Sequence, residues 1–379
     1  MNSFITTLYP SVDLIDSVVF KDTNSEENIY FSKPFLKAFE ISNPQIEFKY
    51  ISISDADKNT LALALVQVIS LNVEGMLKNI KVAPLVRKGL GLLFCNEHIK
   101  IMFCGNVFLS GEHGISTAET SSKKDIYSEI GTALDAVAAN TKPMHAIFIK
   151  DFKLASLVHT QAFLNFGYSE IKVEPNMIIQ LKPEWKTFED YKNILKSKYR
   201  VKANKADSKS STLETRLFSD QDLETYKHEL QALYQNTIDK ASFNAQVLNL
   251  DTYSHLSASL KDNFIVKGYF LENRLVGFLT ALVNDNKLDA HFIGLDYELN
   301  KSHAIYPRIL NDYIRIGIEK QVDSINLGRT ASEIKTTIGA NPLELSCYIK
   351  HKNPFLNSLV KPFLRRIKIK EFKQHAPFK

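Results

Sequence analysis

Leu327-Gly328-Arg329-Thr330-Ala331-Ser332-Glu333-Ile334-Lys335-Thr336-Thr337-Ile338-Gly339-Ala340-Asn341-Pro342 is the stretch from which the rest of the chain is read. A helical run, Ile305–Lys320, and a short apolar strand signal, Val322–Leu327, precede it. An arginine, several hydroxyls, a carboxylate and an amine then crowd between two glycines. Polar groups at the C-terminal end of a strand, beside a glycine that lets backbone come close, are what a site for an anionic ligand needs. Arg329 and Lys335 are candidates to hold a phosphate or carboxylate, with Thr330 and Glu333 as further substrate contacts. The competing reading is a solvated turn whose cations bridge to Glu333.

Upstream, Phe264–Leu271, Arg274–Val283 and Lys287–Gly294 read as strands separated by Glu-Asn and Asn-Asp-Asn turn signals. This spacing predicts a meander that continues into a helix, Ala304–Lys320, and a strand, Ile325–Leu327. His291 lies in an alternating run and shares a face with Asp289 and Ile293. An imidazole there is a candidate general base for an amine nucleophile, since it titrates near neutrality. The alternative is a half-buried histidine bonded to backbone. Tyr306, just before Pro307 at a helix start, is a candidate to protonate a leaving thiolate, or else a core tyrosine.

The order Gly-Arg-Thr, Lys335, Gly-Ala-Asn-Pro, preceded by Leu288-Asp-Ala-His-Phe-Ile-Gly-Leu-Asp296 and Tyr306, resembles the C-terminal signature of Fem-type transferases. It also resembles related GNAT (GCN5-related N-acetyltransferase) acyltransferases, including bacterial proteins of peptidoglycan biosynthesis. The resemblance implies an α/β (α+β) fold of two tandem GNAT-like domains, each a mixed, mostly antiparallel sheet flanked by helices. It implies N-acyl transfer from an acyl-CoA or acyl-carrier-protein thioester to a small-molecule or lipid-like amine, with His291 and Tyr306 in catalysis. In such transferases the donor's phosphates sit on backbone amides at the N-terminus of the helix after a splayed strand. The usual glycine-rich loop falls here between Asp296 and Pro307, where this sequence has no glycine. That departure favours a carrier-protein thioester or an aminoacyl-tRNA over free acetyl-CoA. The alternatives are a Fem-type aminoacyl-tRNA-dependent transferase acting on a peptidoglycan precursor, or a non-catalytic GNAT-like binding protein.

The first half reads as alternating α/β. Pro34–Ile41 is a short helix, Ile46–Ser54 a strand, and Ala56–Ser70 suits either. Leu90–Phe94 and Ile99–Phe103 are strand-like, Ser122–Asn140 has helical periodicity, Ala146–Ile149 is a strand, and Ala155–Phe166 is helical. Tyr168–Val173 and Met177–Leu181 suggest a hairpin, after which a first, degenerate GNAT-like domain closes near Pro183. At the end of the Ile99–Phe103 run, Phe103-Cys-Gly-Asn-Val-Phe-Leu-Ser-Gly-Glu-His-Gly114 is a second polar, glycine-rich cluster. The resemblance turns it toward a groove between tightly packed halves, making Asn106, Glu112 and His113 candidates for acceptor contact. A turn with satisfied polar groups is the alternative. Cys104 has no base beside it in the sequence and is a poor nucleophile. The expected domains are 1–183, a catalytic domain 184–350, and a basic apolar tail 351–379.

The second half opens with a predicted helix, Glu189–Asp207, followed by another, Ser219–Thr237, capped by Ser219 or Asp220. Lys198, Lys202, Lys205 and Lys209 form one stripe, with Arg200 beside it. The run resembles the basic helix of Fem-type proteins, which implies donor-phosphate contacts by Lys198, Arg200, Lys202 and Lys205 on a carrier protein, CoA or tRNA. A solvated helix face is the plain alternative.

With 44% hydrophobic and 23% charged residues, the 379-residue chain is ordinary globular protein, long enough for two cores. The net charge of +5 is local: from Lys350 onward nine Lys/Arg stand against Glu371 alone. Phe355, Leu356, Phe363, Leu364, Ile367, Ile369 and Phe372 interleave with those cations, as in a peripheral membrane contact or a packed terminal helix and strand. Three cysteines without metal-type spacing, and no basic leader, suggest a reduced cytoplasmic protein, with any membrane contact on the inner face. No metal site is expected.

Overall fold

The computed structural model describes residues 4–23, 28–72, 98–119, 123–241, 244–364, 369 and 371–379. The chain forms two compact units. The first is Met1–Val173 with Ser242–Leu248 and Glu344–Ile369; the second is Glu174–Ala241 with Asn249–Leu343 and Lys370–Lys379. The expected strand at Leu90–Phe94 lies outside the described residues.

The first unit begins with β1 (Ile5–Tyr9), α1 (Ser17–Asp22), α2 (Lys33–Ser42), β2 (Glu47–Ser54), β3 (Thr60–Asn72), β4 (His98–Cys104) and β5 (Ile115–Thr117). It continues with α3 (Lys123–Asn140), β6 (Ala146–Lys153) and α4 (Leu157–Thr160). The stretch that suited helix or strand is β3. Ala62 through Val66 are all buried, and β2 on one side and β4 and β5 on the other occupy both its edges. A strand covered on both faces reads as a continuous apolar run, which hides its period. α3 buries Ile126, Ile130, Leu134 and Val137, the stripe its period predicts. β4 and β6 are parallel, with Ile101 opposite Ala146 and Cys104 opposite Ile149.

β7 (Ser169–Gln180) is one continuous strand, not the expected hairpin. Pro175 removes a ladder donor but does not reverse the chain, and Glu-Pro-Asn offers no glycine for the left-handed residues of a tight hairpin turn. The unit boundary falls inside this strand.

The second unit adds α5 (Phe188–Ile194), α6 (Ser197–Lys209), β8 (Glu214–Leu217), α7 (Asp220–Thr225), α8 (Lys227–Lys240), α9 (Asp251–Leu260), β9 (Phe264–Leu271), β10 (Arg274–Asn284) and β11 (Lys287–Leu295). α10 (Tyr297–His303), α11 (Ile305–Glu319), β12 (Ser324–Asn326) and α12 (Ser332–Thr336) follow. Where one helix is expected over Glu189–Asp207, the chain breaks at Leu195–Lys196. Leu195 is extended and 1% exposed, and it bridges to Phe378. The Lys196 amide donates to the Pro377 carbonyl. Core burial and that bridge outweigh helix propensity. Ser219 is the cap of α7, sharing a capping box with Asp222. β8 to β11 form the antiparallel meander; β12 runs parallel to β11 and antiparallel to the end of β7. α11 joins β11 to β12 and buries Ile305, Ile309 and Tyr313 in the unit's core.

The chain ends with β13 (Asn341–His351), which pairs with β6 in the first unit, and α13 (Pro354–Leu364). Phe372 and Phe378 pack on the second unit's core. No described helix is long and apolar enough to cross a membrane. Each unit is a mixed, mostly antiparallel sheet flanked by helices.

Candidate functional site

In the second unit, β11 departs from regularity where the sequence places His291. Leu279 pairs with Ile293 and Ala281 with Ala290, so Thr280 alone faces both His291 and Phe292. This is a β-bulge. Thr280 Oγ1 pins it, donating to the Phe292 carbonyl at 2.8 Å and accepting from the Phe292 amide at 3.1 Å. On its other side, β11 pairs with β12 only from Lys287 to Asp289. There β12 ends, and the chain at Leu327 and Gly328 bonds to Met177 of β7 instead. His291 lies two residues beyond the end of this pairing and is half-buried, its ring 4.3 Å from Phe292 and 6.2 Å from Tyr253.

The loop after β12 is held in an unfavourable shape. Gly328, Thr330 and Ala331 have φ of 68°, 63° and 48°. The left-handed region suits glycine, but a β-branched threonine there costs about 1–3 kcal/mol. Such a turn persists only if its surroundings dictate it. Asn326 does so at the entry, donating to Asp289 Oδ1 at 2.8 Å and accepting from the Gly328 amide at 2.9 Å. Lys335 does so at the exit. Its ammonium, 5% exposed as a residue, donates to the carbonyls of Leu327 (2.6 Å), Gly328 (3.2 Å) and Arg329 (2.6 Å).

All three Lys335 protons therefore point at backbone, and the residue shapes the turn instead of facing a ligand as its sequence position suggests. Burial pushes the ammonium down to about 7, against the nearby Glu174 carboxylate, which holds it up. Arg329 is half-buried, while Thr330 and Glu333 are exposed. Glu333 lies 3.6 Å from His375 and not beside Lys335. At the far end, Gly339 (φ 96°) leaves room for the Phe378 ring, 2.2 Å from where a Cβ would stand.

The glycine-free segment after β11 is helix α10. Asp296 caps it, its Oδ1 accepting from the amides of Glu298 (2.9 Å) and Leu299 (3.3 Å), and it pairs with Arg274. A carboxylate thus occupies the first-turn amides that would otherwise be available to an anion. Tyr306 opens α11, its amide donating to Asn300 Oδ1 at 2.8 Å. Burial, with the neighbouring Tyr297, pushes its hydroxyl up to about 12, so it keeps its proton at neutral pH.

On α6, Lys198, Lys202 and Lys205 are exposed and Arg200 is half-buried; Lys198 and Lys202 flank the Tyr199 ring, each 5.8 Å from its centre. Lys209 is spent on the Lys301 carbonyl. The neighbouring helix α11 carries a network that its sequence only hints at. Asp312, fully buried, receives Arg315 (2.6 Å), Tyr269 (2.9 Å), Arg308 (3.0 Å) and Lys267 (3.0 Å). Burial alone would raise this carboxyl; the charges of Lys267, Arg308 and Arg315 outweigh it and hold it below the ordinary range. The signal was the Arg-Asp-Arg spacing, i, i+4, i+7, inside an otherwise apolar helix.

In the first unit, the glycine-rich cluster wraps around Lys150. This ammonium donates to the carbonyls of Asn106 (3.0 Å) and Leu109 (2.8 Å), and Gly105 (φ 126°) gives its stem passage. Asp151, itself at φ 66° and fully buried, lies 3.7 Å from the ammonium. It accepts from the Gly111 amide and the Cys347 thiol, both at 3.2 Å. Of the residues expected to meet an acceptor, Asn106 is 3% exposed and caps the Phe108 amide at 2.9 Å. The His113 ring lies 4.1 Å from Tyr30. Glu112 lines a cavity of about 360 Å³. Burial pushes the Cys104 thiol up to about 12, which leaves no thiolate.

This architecture is shared with solved structures. FemX superposes with a TM-score of 0.56 at 10% identity, over 92% of this chain and 99% of that one. L-PGS from Bacillus licheniformis gives 0.51 at 11%, over 93% and 97%. A tandem GNAT protein from the clavulanic acid biosynthesis pathway gives 0.52 at 7%, over 93% and 99%. No family model matches the sequence, and no curated protein is significantly similar to it. The likeness shows the fold alone, one of tandem GNAT-like domains, as in FemX and the tandem GNAT protein.

Proposed function

We propose that the chain is an N-acyltransferase whose second unit moves an acyl group from a thioester to an amine. The observation that carries this reading is the His291–Phe292 bulge of β11, just past the end of its pairing with β12. It leaves a strand edge along which an extended thioester arm can lie, beside a strained, firmly held loop. In the reaction the amine nitrogen bonds to the acyl carbon and the carbon–sulfur bond breaks. His291 takes the amine's proton; Tyr306, still protonated at neutral pH, supplies one to the departing thiolate and is reprotonated from solvent. Arg329 contacts an anionic group of donor or acceptor.

The carboxylate cap on α10 argues against free acyl-CoA, because the donor's diphosphate would meet Asp296. A macromolecular donor fits better, an acyl-carrier protein first, with Lys198, Arg200, Lys202 and Lys205 attracting it. The same observation keeps an aminoacyl-tRNA as the second reading. Transfer assays with acyl-CoA, acyl-carrier protein and charged tRNA, each with an amine acceptor, discriminate. The carrier-bound donor is expected to react fastest. His291→Gln is expected to lower kcat about 10²–10⁴-fold with the fold intact. Full activity in that variant would remove the base assignment; no transfer from any donor would favour a binding protein.

A further inference from the structure

The last residues of the chain are held at two places in the second unit. At the break between α5 and α6, the Lys196 amide donates to the Pro377 carbonyl at 2.8 Å and the Lys379 amide to the Ile194 carbonyl at 3.0 Å. The Lys196 ammonium donates to the Ala376 carbonyl at 2.9 Å. At α12, the His375 amide donates to Thr336 Oγ1 at 3.1 Å, and that hydroxyl lies 3.4 Å from the Lys373 carbonyl. Phe372 and Phe378 pack their rings on the unit's core beside these bonds.

The first set of bonds anchors the segment; the second reaches the candidate site. α12 begins directly after the left-handed Thr330 and Ala331 and carries Lys335, whose ammonium holds the carbonyls of the turn. Thr336, which accepts the His375 amide, is next to Lys335 and is 1% exposed. Beyond it, Gly339 lies under the Phe378 ring. The segment therefore bears on the helix whose lysine keeps a strained turn in place. His375 makes the link specific. Its Nδ1 is 3.2 Å from the Tyr199 hydroxyl on α6, and its Nε2 is 3.6 Å from Glu333 Oε1 on α12. Tyr199 is the ring that Lys198 and Lys202 flank. One imidazole thus joins the helix assigned to attracting the donor to the helix that closes the turn. A neutral imidazole can serve both sides at once, accepting from Tyr199 and turning an N–H toward Glu333.

We propose that His375 is a positioning residue for acyl transfer: through Thr336 and Glu333 it sets where α12 stands, and with it Lys335, the 327–331 turn and Arg329. The catalytic consequence rests on the acyl-transfer reading, whereas the placement of α12 is measured without catalysis.

Full-length His375→Ala, His375→Asn and His375→Gln test it by three measurements. Trp185, the only tryptophan, is 5% exposed with its ring 5.8 Å from Phe378, so its emission reports whether the segment is docked. In His375→Ala that emission should match the wild type, while amide exchange quickens across Gly328–Gly339 and stays unchanged in β9 to β11. With the carrier-bound donor, kcat should fall about tenfold and KM for donor and amine should hold, as for a misplaced group and not for lost binding. Asn puts an amide near the place of Nδ1 and Gln near that of Nε2, so recovery of exchange and kcat by Asn assigns the effect to Tyr199, and recovery by Gln to Glu333. Recovery by neither would leave only the bulk of the ring and overturns the hydrogen-bonded link. So does unchanged exchange across Gly328–Gly339 in His375→Ala, or a red-shifted Trp185 emission with faster exchange throughout the unit, which would make His375 a packing residue. If the wild type transfers from no donor, the acyl-transfer reading fails, and exchange and emission still decide the placement of α12.

Discussion

Each unit turns one lysine inward onto the carbonyls of a loop, and the two do it under different electrostatic terms. Lys150 satisfies two carbonyls of the Gly105–Gly114 cluster with the buried carboxylate of Asp151 beside it. Lys335 satisfies three carbonyls of the 327–329 turn and, among the described residues, forms no ion pair. A buried cation with a counter-charge behaves as half of a pair, so removing it strands the other half. A buried cation held mainly by carbonyl dipoles, with Glu174 acting only from a distance, can shed its proton, and burial already pushes Lys335 to about 7. The first arrangement fixes a shape; the second makes a shape dependent on protonation.

The largest effect should come from breaking the paired case. Lys150→Met removes the ammonium beside the buried Asp151 carboxylate and the donor to two carbonyls, and should cost about 3–5 kcal/mol of stability in urea unfolding. Adding Asp151→Asn should recover part of that, because the charge that ammonium faced is gone. Lys335→Met should cost less, about 1–3 kcal/mol, since only neutral carbonyls are left without a donor. Its loss should concentrate in the 327–331 turn, read as faster amide exchange there.

pH sharpens the contrast. Lys335 has a folded value below the ordinary lysine value of 10.5. Between about 7 and that value the unfolded chain holds this proton and the folded chain does not, so this group's contribution to global stability rises with pH across the window. The turn should nonetheless exchange faster above about 7, because a neutral amine has two protons for three carbonyls. Lys335→Arg, which keeps its charge, should abolish the change. The smallest effect is expected at Thr330. Thr330→Gly relieves a left-handed β-branched residue but frees the unfolded chain, for a net gain of about 0.5–1 kcal/mol at most.

The meander β9–β11 of the second unit was legible because turn signals punctuate its alternating runs at Glu272-Asn273 and Asn284–Asn286, whereas the four-residue β8 was not. β3 was not, because burial on both faces erases the period that distinguishes strand from helix. The hairpin expected around Pro175 failed because a proline can sit inside a strand without turning it. At the candidate site, the residue types near Gly328 suggested a polar loop for an anionic ligand, but neither its left-handed backbone nor the direction of Lys335 could be read. A side chain that reaches back six to eight residues depends on the turn it helps to make. The role of Asp312 was not legible because its Arg308 and Arg315 neighbours on α11 read as an ordinary i, i+4, i+7 charge pattern until Lys267 and Tyr269 of β9 close over it.

The division of the chain has a consequence for how the protein is made. The first unit takes β13 and α13 from beyond residue 344, and Cys347 is one of the partners of Asp151. The second unit takes its last ten residues from Lys370–Lys379, where Phe378 fills the space above Gly339. During synthesis, then, neither unit has all its parts until late. At about 5–20 residues per second, the first 173 residues wait on the order of ten seconds or more for the strand that completes their sheet. Over that interval the edge of β6 that β13 will cover lacks its partner on the ribosome, a natural substrate for a chaperone.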